Sequence, residues 1–158
     1  HEEIEKAKKK EVAKIQKSEI LRQLLESHDF AVPESMVENE AAVLASSVLA
    51  NRRREAAGDK PEEKDGEALK EEMRPNAVRN VKASLLIELI GKEQAVSVTD
   101  DELKSAIVSI SQRLSVSPEQ IMKFYVSRDG SLDGLRNSIF EDKVLDLVLS
   151  KALVEKGE

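Results

Sequence analysis

The residues that could catalyse a reaction or bind a metal are few, and their spacing argues against a shared site. The only histidines are His1 and His28. His28 falls where the first predicted helix ends, and a histidine at a helix C-terminus interacts favourably with the helix dipole. The run "TDDE" at 99–102 carries three carboxylates, but acidic residues in the first turn of a capped helix account for all of them. Neither group predicts a catalytic or metal site.

Other patterns typical of enzymes are missing from the sequence. It contains no glycine-rich phosphate loop, no HExxH motif and no serine, histidine and aspartate arrangement typical of a hydrolase. It also contains no cysteine, which excludes disulfides and thiolate metal ligands within these 158 residues. We therefore expect no enzymatic activity, no metal and no cofactor.

Apolar side chains are the remaining candidates for function. The sequence has three phenylalanines and one tyrosine, yet Phe124 and Tyr125 are adjacent and closely follow Met122. Flexible methionine and amphipathic tyrosine suit a surface that binds varied apolar ligands. A stripe of this kind is more often part of a core, so both interpretations stay open. The candidate binding residues are Val37, Leu44, Val48, Leu114, Ile121, Met122, Phe124, Tyr125, Leu132 and Leu135.

Composition limits the classes of partner. Hydrophobic residues make up 40% of the chain, charged residues 35% and aromatic residues 3%, which predicts one folded domain with an aliphatic core. The net charge of −6 argues against nucleic acid as the main partner. Two basic clusters, "KAKKKEVAKIQK" and "NRRRE", are interleaved with acidic residues, and we interpret them as solvated helix faces. RNA contact through Arg52, Arg53 and Arg54 is a weaker alternative.

Hydropathy argues against a membrane partner. No apolar run approaches the ~20 residues that span a bilayer, and no signal-peptide pattern opens the chain. The lack of cysteine also fits a reducing compartment. We expect a cytoplasmic location.

The periodicity predicts an all-α fold of six helices. The first covers residues 3–28, the second begins at Pro33 and ends near Ala57, and the third runs from Glu67 to Ala95. Pro75 should kink or split the third helix. The polar stretch "GDKPEEKDG" at 58–66 should form a loop, and "SLLIELI" at 84–90 should be buried. The second and third helices would each be about 40 Å long at ~1.5 Å per residue, so we expect them to project as a hairpin.

Start and stop signals define the last three helices. Thr99 with Glu102, and Ser117 with Gln120, match the capping-box pattern, so helices should begin directly after each pair. The fifth helix should end at "RDGS", and the sixth should run from Leu132 to Ala152. Leu86 and Leu147, within "SLLIELI" and "VLDLVL", are expected to be core residues.

Four segments carry a resemblance to a known family. They are "FAVPESMVENE" (30–40), "VRNVKASLLIELIGKEQAVSVTDDEL" (78–103), "SPEQIMKFYVS" (117–127) and "LRNSIFEDKVLDLVLSKALV" (135–154). In this order and spacing they resemble the C-terminal chaperone domain of trigger factor, a family of bacterial ribosome-associated folding factors.

The resemblance implies an elongated helical body with two protruding arms that form a cradle. Residues 1–32 would form a body helix, 33–98 the first arm and body, and 99–158 the second arm and closing helix. It also implies an ATP-independent chaperone that holds nascent or unfolded polypeptides through dispersed apolar patches. Phe124 and Tyr125 would then face the cradle, with one ring anchoring the local fold.

Two domains of this family are not recognisable in the sequence. They are the FKBP-like prolyl isomerase domain and the N-terminal ribosome-docking domain. We therefore expect neither isomerase activity nor ribosome binding from these residues, since ribosome contact would need the missing domains.

A helical adaptor or dimerisation module is the alternative to a chaperone. Its apolar stripes would form one stereospecific interface with a defined protein partner, or with a second copy through self-association. The state of the free chain distinguishes the two, because a dimer would bury the residues expected to bind clients.

Overall fold

The computed structural model describes residues 2–55 and 63–152, and these are almost entirely helical. The helices are α1 (Glu2–Ser27), α2 (Glu34–Glu55), α3 (Glu63–Glu93), α4 (Asp100–Leu114), α5 (Pro118–Asp129) and α6 (Asp133–Lys151). No strand occurs in these two ranges. The all-α prediction and the order of the six helices are confirmed.

The chain forms two compact units, and α1 and α3 each contribute to both. The first, called the α2–α3 unit, comprises residues Arg22–Leu86. The second, called the α4–α6 unit, comprises His1–Leu21 and Ile87–Glu158. Each unit has its own apolar cluster.

The α2–α3 unit is built around four small or β-branched buried residues, Val37, Ala41, Ala77 and Val81. The first two lie one helical turn apart on α2, and the last two lie one turn apart on α3, as the i, i+4 rule requires for a shared face. Polar contacts flank this cluster. Asn80 donates to the carboxylate of Glu40 at 2.7 Å, and Arg74 pairs with Glu34. The result is a thin core between two helices.

The third helix differs from the sequence prediction at its start. It begins at Glu63 and not at Glu67, so the last four residues of the predicted polar loop are helical. Gly66 therefore lies inside the helix, where a glycine costs about 1 kcal/mol relative to alanine. A methyl group added at Gly66 would lie 4.0 Å from the side chain of Leu49 of α2. The rest of that predicted loop, and the predicted end of the second helix at Ala57, lie outside the described residues.

Pro75 does not split α3. The helix is continuous from Glu63 to Glu93 with Pro75 inside it. Proline removes the amide that would donate to the carbonyl four residues earlier, which belongs to Glu71. Because Glu71 and Pro75 are both exposed, water can hydrate that carbonyl, and the cost of the missing hydrogen bond is small enough for the helix to continue.

The expectation that "SLLIELI" is buried holds only in part. Leu86 and Ile87 are buried, whereas Leu89 is 61% exposed. In a helix, Leu89 is turned about 200° from Ile87, so a neighbour that covers one leaves the other in solvent. Because most residues of the segment are apolar, the sequence did not distinguish its buried positions from its exposed ones.

The α4–α6 unit is built around Leu103, Ile107, Ile121 and Leu135, here called the α4–α6 core. Both predicted capping boxes are confirmed. The side chain of Thr99 accepts from the Glu102 amide, and Ser117 does the same for Gln120, while each N3 side chain accepts from the cap amide in return. These caps fix where α4 and α5 begin and thereby set which side chains point to the core.

The sixth helix contacts both α1 and α3 within the α4–α6 unit. Lys17 of α1 forms ion pairs with Asp142 and Asp146 of α6 at 3.2 and 2.8 Å. On another face, the ring of Phe140 lies so close to Gly91 of α3 that any side chain at position 91 would overlap it. The close approach of α3 and α6 therefore favours glycine at position 91.

Candidate functional site

The candidate site is a group of exposed apolar side chains around the turn between α4 and α5. It is called here the α4–α5 surface and comprises Leu114, Val116, Met122, Phe124 and Val126. All five are more than one-third exposed. Single exposed apolar residues are ordinary, and five of them within thirteen consecutive residues (114–126) make this segment the first candidate for contact with another apolar group.

Leu114 extends the buried stripe of α4 beyond the helices that cover it. Leu103, Ile107 and Leu114 follow the i, i+4, i+11 spacing of one helix face, and the first two are core residues. Leu114 is the last residue of α4 and is 56% exposed. The helix ends there because Ser115 adopts the left-handed conformation, with φ 54°. The apolar face of α4 that contributes to the core is therefore exposed to solvent at its end, at Leu114.

Phe124 and Tyr125 are neighbours with different environments. Tyr125 lies one turn after Ile121 and packs against the α4–α6 core. Phe124 is rotated by about 100° from Tyr125 and is 54% exposed. The ring centroids are 5.6 Å apart with an interplanar angle of 85°, an edge-to-face contact. The half-buried tyrosine packs on the core and contacts the exposed phenylalanine edge to face.

The exposed residues of α5 lie on both sides of its buried line. Met122 and Val126 are one turn apart on one flank, whereas Phe124 lies on the other flank, by the 100° step of the helix. Ile121, predicted to be a binding residue together with Phe124 and Tyr125, is buried and is not part of an accessible face. Apolar side chains are instead available on two flanks of the same helix.

Three of the ten predicted binding residues lie in the cores and are inaccessible to a ligand. Val37 is 1% exposed, and Ile121 and Leu135 are also buried. They were selected for apolar character at helical spacing, which is the same property that places a residue in a core. These three are corrected here to structural residues.

The other seven predicted residues divide by exposure. Leu114, Met122 and Phe124 are exposed. The remaining four are half-buried, and they are Leu44, Val48, Tyr125 and Leu132. Three of these, Leu44, Tyr125 and Leu132, pack against the edges of the two cores. Tyr125 and Leu132 contact the α4–α6 core, whereas Leu44 and Val48 belong to the α2–α3 unit.

Several exposed apolar residues were missed by the sequence reasoning. On α2 these are Met36 and Val43, which line a groove of about 270 Å³ together with Asn39 and Asn80. Met36 and Val43 both lie off the face of α2 that carries the buried Val37 and Ala41. The sequence signal that could have identified these exposed residues is an apolar residue outside the periodic apolar face of its helix. The full set missed is Val12, Ile15, Met36, Val43, Leu89, Val108, Val116 and Val126.

The charged groups near α4 stabilise structure. Lys143 of α6 lies 2.7 Å from Glu102, and this hydrogen bond, together with the Thr99 amide, lowers the pKa of Glu102. Arg136 lowers the pKa of Asp100 in the same way, at 2.9 Å. Both acids are anchored ion-pair partners. The interpretation of "TDDE" as the first turn of a capped helix is confirmed.

The remaining polar candidates also have structural surroundings. The Nδ1 atom of His28 lies 2.8 Å from the carbonyl oxygen of Leu24, so it donates to the last turn of α1. Arg52 and Arg54 are exposed on α2. Within residues 2–55 and 63–152, acidic and histidine side chains form no group of three or more placed to hold a metal. No helix in those ranges is both long and apolar enough to cross a bilayer.

Comparison with known sequences identifies one family. The family model described as the C-terminus of bacterial trigger factor protein matches residues 1–150. Trigger factor of Thermodesulfovibrio yellowstonii is 41% identical over 150 residues, which cover 94% of this chain and 34% of that protein. Trigger factor of Rhodospirillum centenum is 36% identical, covering 85% of this chain and 30% of that protein. The chain thus spans about a third of the length of these curated relatives.

Comparison with solved structures identifies the same fold. A structure of domains of trigger factor from Thermotoga maritima superposes with a TM-score of 0.60. The alignment covers 90% of this chain and 84% of that one, at 24% sequence identity. The fold described above is therefore also found in a solved structure.

Proposed function

This chain belongs to the bacterial trigger factor family, whose C-terminal part it matches, and we propose that it holds non-native polypeptides through dispersed apolar surfaces without using ATP. The α4–α5 surface carries this proposal. Leu114, Met122 and Phe124 are exposed there beside a core that is fully formed without them. Side chains that are not needed for the core, and that nevertheless remain large and apolar, are available for clients.

Affinity considerations favour several patches over one. Micromolar binding needs about −8 kcal/mol, in addition to an association cost of roughly 4–15 kcal/mol. At ~25 cal/mol per Å² this requires on the order of 500–900 Å² of apolar contact. The α4–α5 surface alone is too small, but Met36 and Val43 of the α2–α3 unit offer a second patch. We propose that separate segments of one client bind the two units, which raises the overall affinity by effective concentration.

The side-chain chemistry suits clients of varied sequence. Met122 is flexible and polarizable, so it adapts to differently shaped apolar groups. Phe124 offers a rigid ring whose orientation is fixed by its edge contact with Tyr125. A flexible residue on one flank of α5 and a rigid aromatic ring on the other favour broad recognition of apolar and aromatic side chains.

The proposal is tested by suppression of aggregation. A chemically unfolded client is diluted into buffer with and without the 158-residue chain, and light scattering is followed without ATP. We expect scattering to fall as the chain is added, and we expect the double variant Leu114→Ser with Phe124→Ser to suppress it less. Arg113→Ser with Lys123→Ser is the matched control, because it changes exposed polar residues beside the same positions.

A sizing measurement on the free chain distinguishes the adaptor alternative. A monomer that suppresses aggregation supports the chaperone proposal. A stable dimer that dissociates in the Leu114→Ser with Phe124→Ser variant, and that leaves client aggregation unchanged, would assign the α4–α5 surface to a defined interface instead.

We also propose that these residues do not catalyse prolyl isomerisation. The sequence holds only four aromatic residues, and in the described part of the chain Phe124 and Tyr125 lie on a helix, not in an enclosed aromatic pocket. Isomerisation of a proline-containing peptide should proceed at the uncatalysed rate in the presence of pure protein. A rate above that background would contradict the proposal.

A further inference from the structure

The segment between α3 and α4, residues 94–99, is called here the α3–α4 connector. Two basic side chains of α6 bind it at its α4 end. Arg136 donates to the carbonyl of Val98 and to the carboxylate of Asp100, each at 2.9 Å. Lys143 donates to the carbonyl of Ser97 at 2.5 Å. Its second acceptor is the carboxylate of Glu102 at 2.7 Å.

A third basic side chain binds the other end of the connector. Lys151 donates to the side-chain oxygen of Gln94 at 2.7 Å. Arg136, Lys143 and Lys151 are spaced by seven and eight residues, which places them on one face of α6. One stripe of cations therefore contacts the connector at both of its ends.

The connector has a backbone conformation that needs such support. Ala95 has φ 53°, in the left-handed region that is unfavourable for residues with a Cβ. Val96 donates to the carbonyl of Gly91 at 2.8 Å, so the end of α3 closes with a tight turn. The turn directs the chain from α3 into α4 and sets the position at which α4 meets α6.

The apolar packing beneath the connector is small. The α4–α6 core has four buried residues, contributed by α4, α5 and α6. Each of the three cations joins α6 to a residue at or before the first turn of α4. Separation of α4 from α6 would break the ionic contacts and open this core together.

We infer that Arg136, Lys143 and Lys151 form an electrostatic latch on the α3–α4 connector, and that its release opens α4 from α6 and exposes the α4–α6 core as additional apolar surface. This goes beyond the proposed function, because the latch can be tested without any client. It would make the amount of accessible apolar surface depend on ionic strength.

The ionic contacts of the latch are weak enough for high salt to break them. Its side chains are partly exposed, with relative side-chain accessibilities of 39% for Arg136 and 35% for Lys143. Exposed ion pairs are individually weak, and two of them, Arg136 with Asp100 and Lys143 with Glu102, act together on the first turn of α4. The Debye length falls from above 10 Å at about 0.05 M salt to about 3 Å at about 1 M, so high salt screens these contacts while it leaves apolar packing intact.

Native-state hydrogen exchange of the full 158-residue chain tests the inference. Peptides from α4, α5 and α6 are compared with peptides from α2, in low and high sodium chloride. Raising the salt should accelerate exchange in α4–α6 by about tenfold relative to α2, through local opening. The variant Arg136→Met with Lys143→Met should show the faster rate already at low salt. Lys92→Met is the control, since Lys92 pairs with Glu88 inside α3.

Each outcome supports or overturns the latch. Faster exchange confined to α4–α6, accompanied by increased fluorescence of an apolar dye, supports it. Exchange in α4–α6 that does not respond to salt in the unmodified chain would overturn it, whether or not the double variant folds. Equal acceleration in α2 and in α4–α6 would also overturn it, because that result indicates global unfolding.

Discussion

At the scale of single residues, the structure separates side chains that have the same chemistry. Phe124 is exposed while Tyr125, its neighbour, packs on the core. The sequence identified this pair as unusual, but the 100° step between adjacent helical residues decides which ring is buried. That step can be calculated from the sequence, whereas the direction of the neighbouring helices cannot. Because the positions of the neighbouring helices do not follow from the sequence, Ile121 was assigned to the binding surface, yet it is buried.

Two glycines of α3 are predicted to respond to alanine in opposite directions. Gly91→Ala places a methyl group 2.1 Å from the ring of Phe140, and overpacking of this kind costs about 1–3 kcal/mol. The gain in helix propensity, about 1 kcal/mol, offsets this only in part. Gly66→Ala meets no atom closer than 4.0 Å and should stabilise by about 0.5–1 kcal/mol. Urea unfolding of both variants measures the difference.

The cause of the Gly91 effect can be checked separately. In the background Phe140→Leu, the added methyl group should cost less than in the unmodified chain, because the ring it overlaps has been removed. Equal costs in the two backgrounds would show that the Gly91 contact with Phe140 does not limit the approach of α3 and α6.

Ala95→Gly is predicted to stabilise the protein. Ala95 has φ 53°, a conformation that costs residues with a Cβ about 1–2 kcal/mol and glycine almost nothing. The greater entropy of glycine in the unfolded chain reduces the gain to about 0.5–1 kcal/mol. Ala42→Gly, in the exposed interior of α2, is the control and should destabilise by about 0.5–1 kcal/mol. A lower thermal midpoint for Ala95→Gly would contradict this account.

At the scale of elements, local sequence signals were reliable where they act within a few residues. Both capping boxes, and the end of α5 within "RDGS" at a left-handed Gly130, agree with the positions predicted for them. The signals failed where packing overrides local preference. Gly66 lies in a helix that packs along α2, and Pro75 is accommodated because the carbonyl it leaves unpaired belongs to Glu71, which is exposed to water. Such outcomes depend on neighbours that are distant in sequence.

The first turn of α4 should make stability depend on pH. Lys143 and the Thr99 amide lower the pKa of Glu102 below its ordinary value in the folded state. A carboxylate of this kind stabilises the fold above its unfolded pKa of about 4.3 and loses that contribution as the pH falls through the folded value. The variant Glu102→Gln keeps a side-chain acceptor for the cap, as Gln120 does in α5, but loses the charge.

Thermal midpoints of both proteins test this dependence. The unmodified chain should be more stable than Glu102→Gln at pH 7, and the difference should shrink as the pH falls from the unfolded pKa of about 4.3 through the lowered folded pKa of Glu102. Glu88→Gln is the control, because Glu88 pairs with Lys92 outside the connector. A constant difference between pH 7 and pH 3 would show that the charge of Glu102 does not stabilise the fold.

At the scale of the whole chain, the order of segments was more informative than any single residue. Four segments in a fixed order indicated the family, and the family match over residues 1–150 confirms it. The residues that remain exposed were harder to predict, because exposure depends on which helix covers each face. Val37 and Leu114 both continue an apolar stripe, yet Val37 is covered and Leu114 is not. Periodicity identifies a face, but only the packed helices determine where that face becomes surface.

The most direct test of client holding is the variant Phe124→Ser, measured for both stability and client affinity. Because Phe124 is 54% exposed, its loss should lower the free energy of unfolding by no more than about 1–1.5 kcal/mol. Client binding should weaken several-fold, and it should not vanish, since Met36, Val43 and Leu114 remain exposed. Lys123→Ser should change neither quantity. A loss of stability of core size, about 2–5 kcal/mol, with unchanged affinity of the molecules that remain folded, would contradict the account.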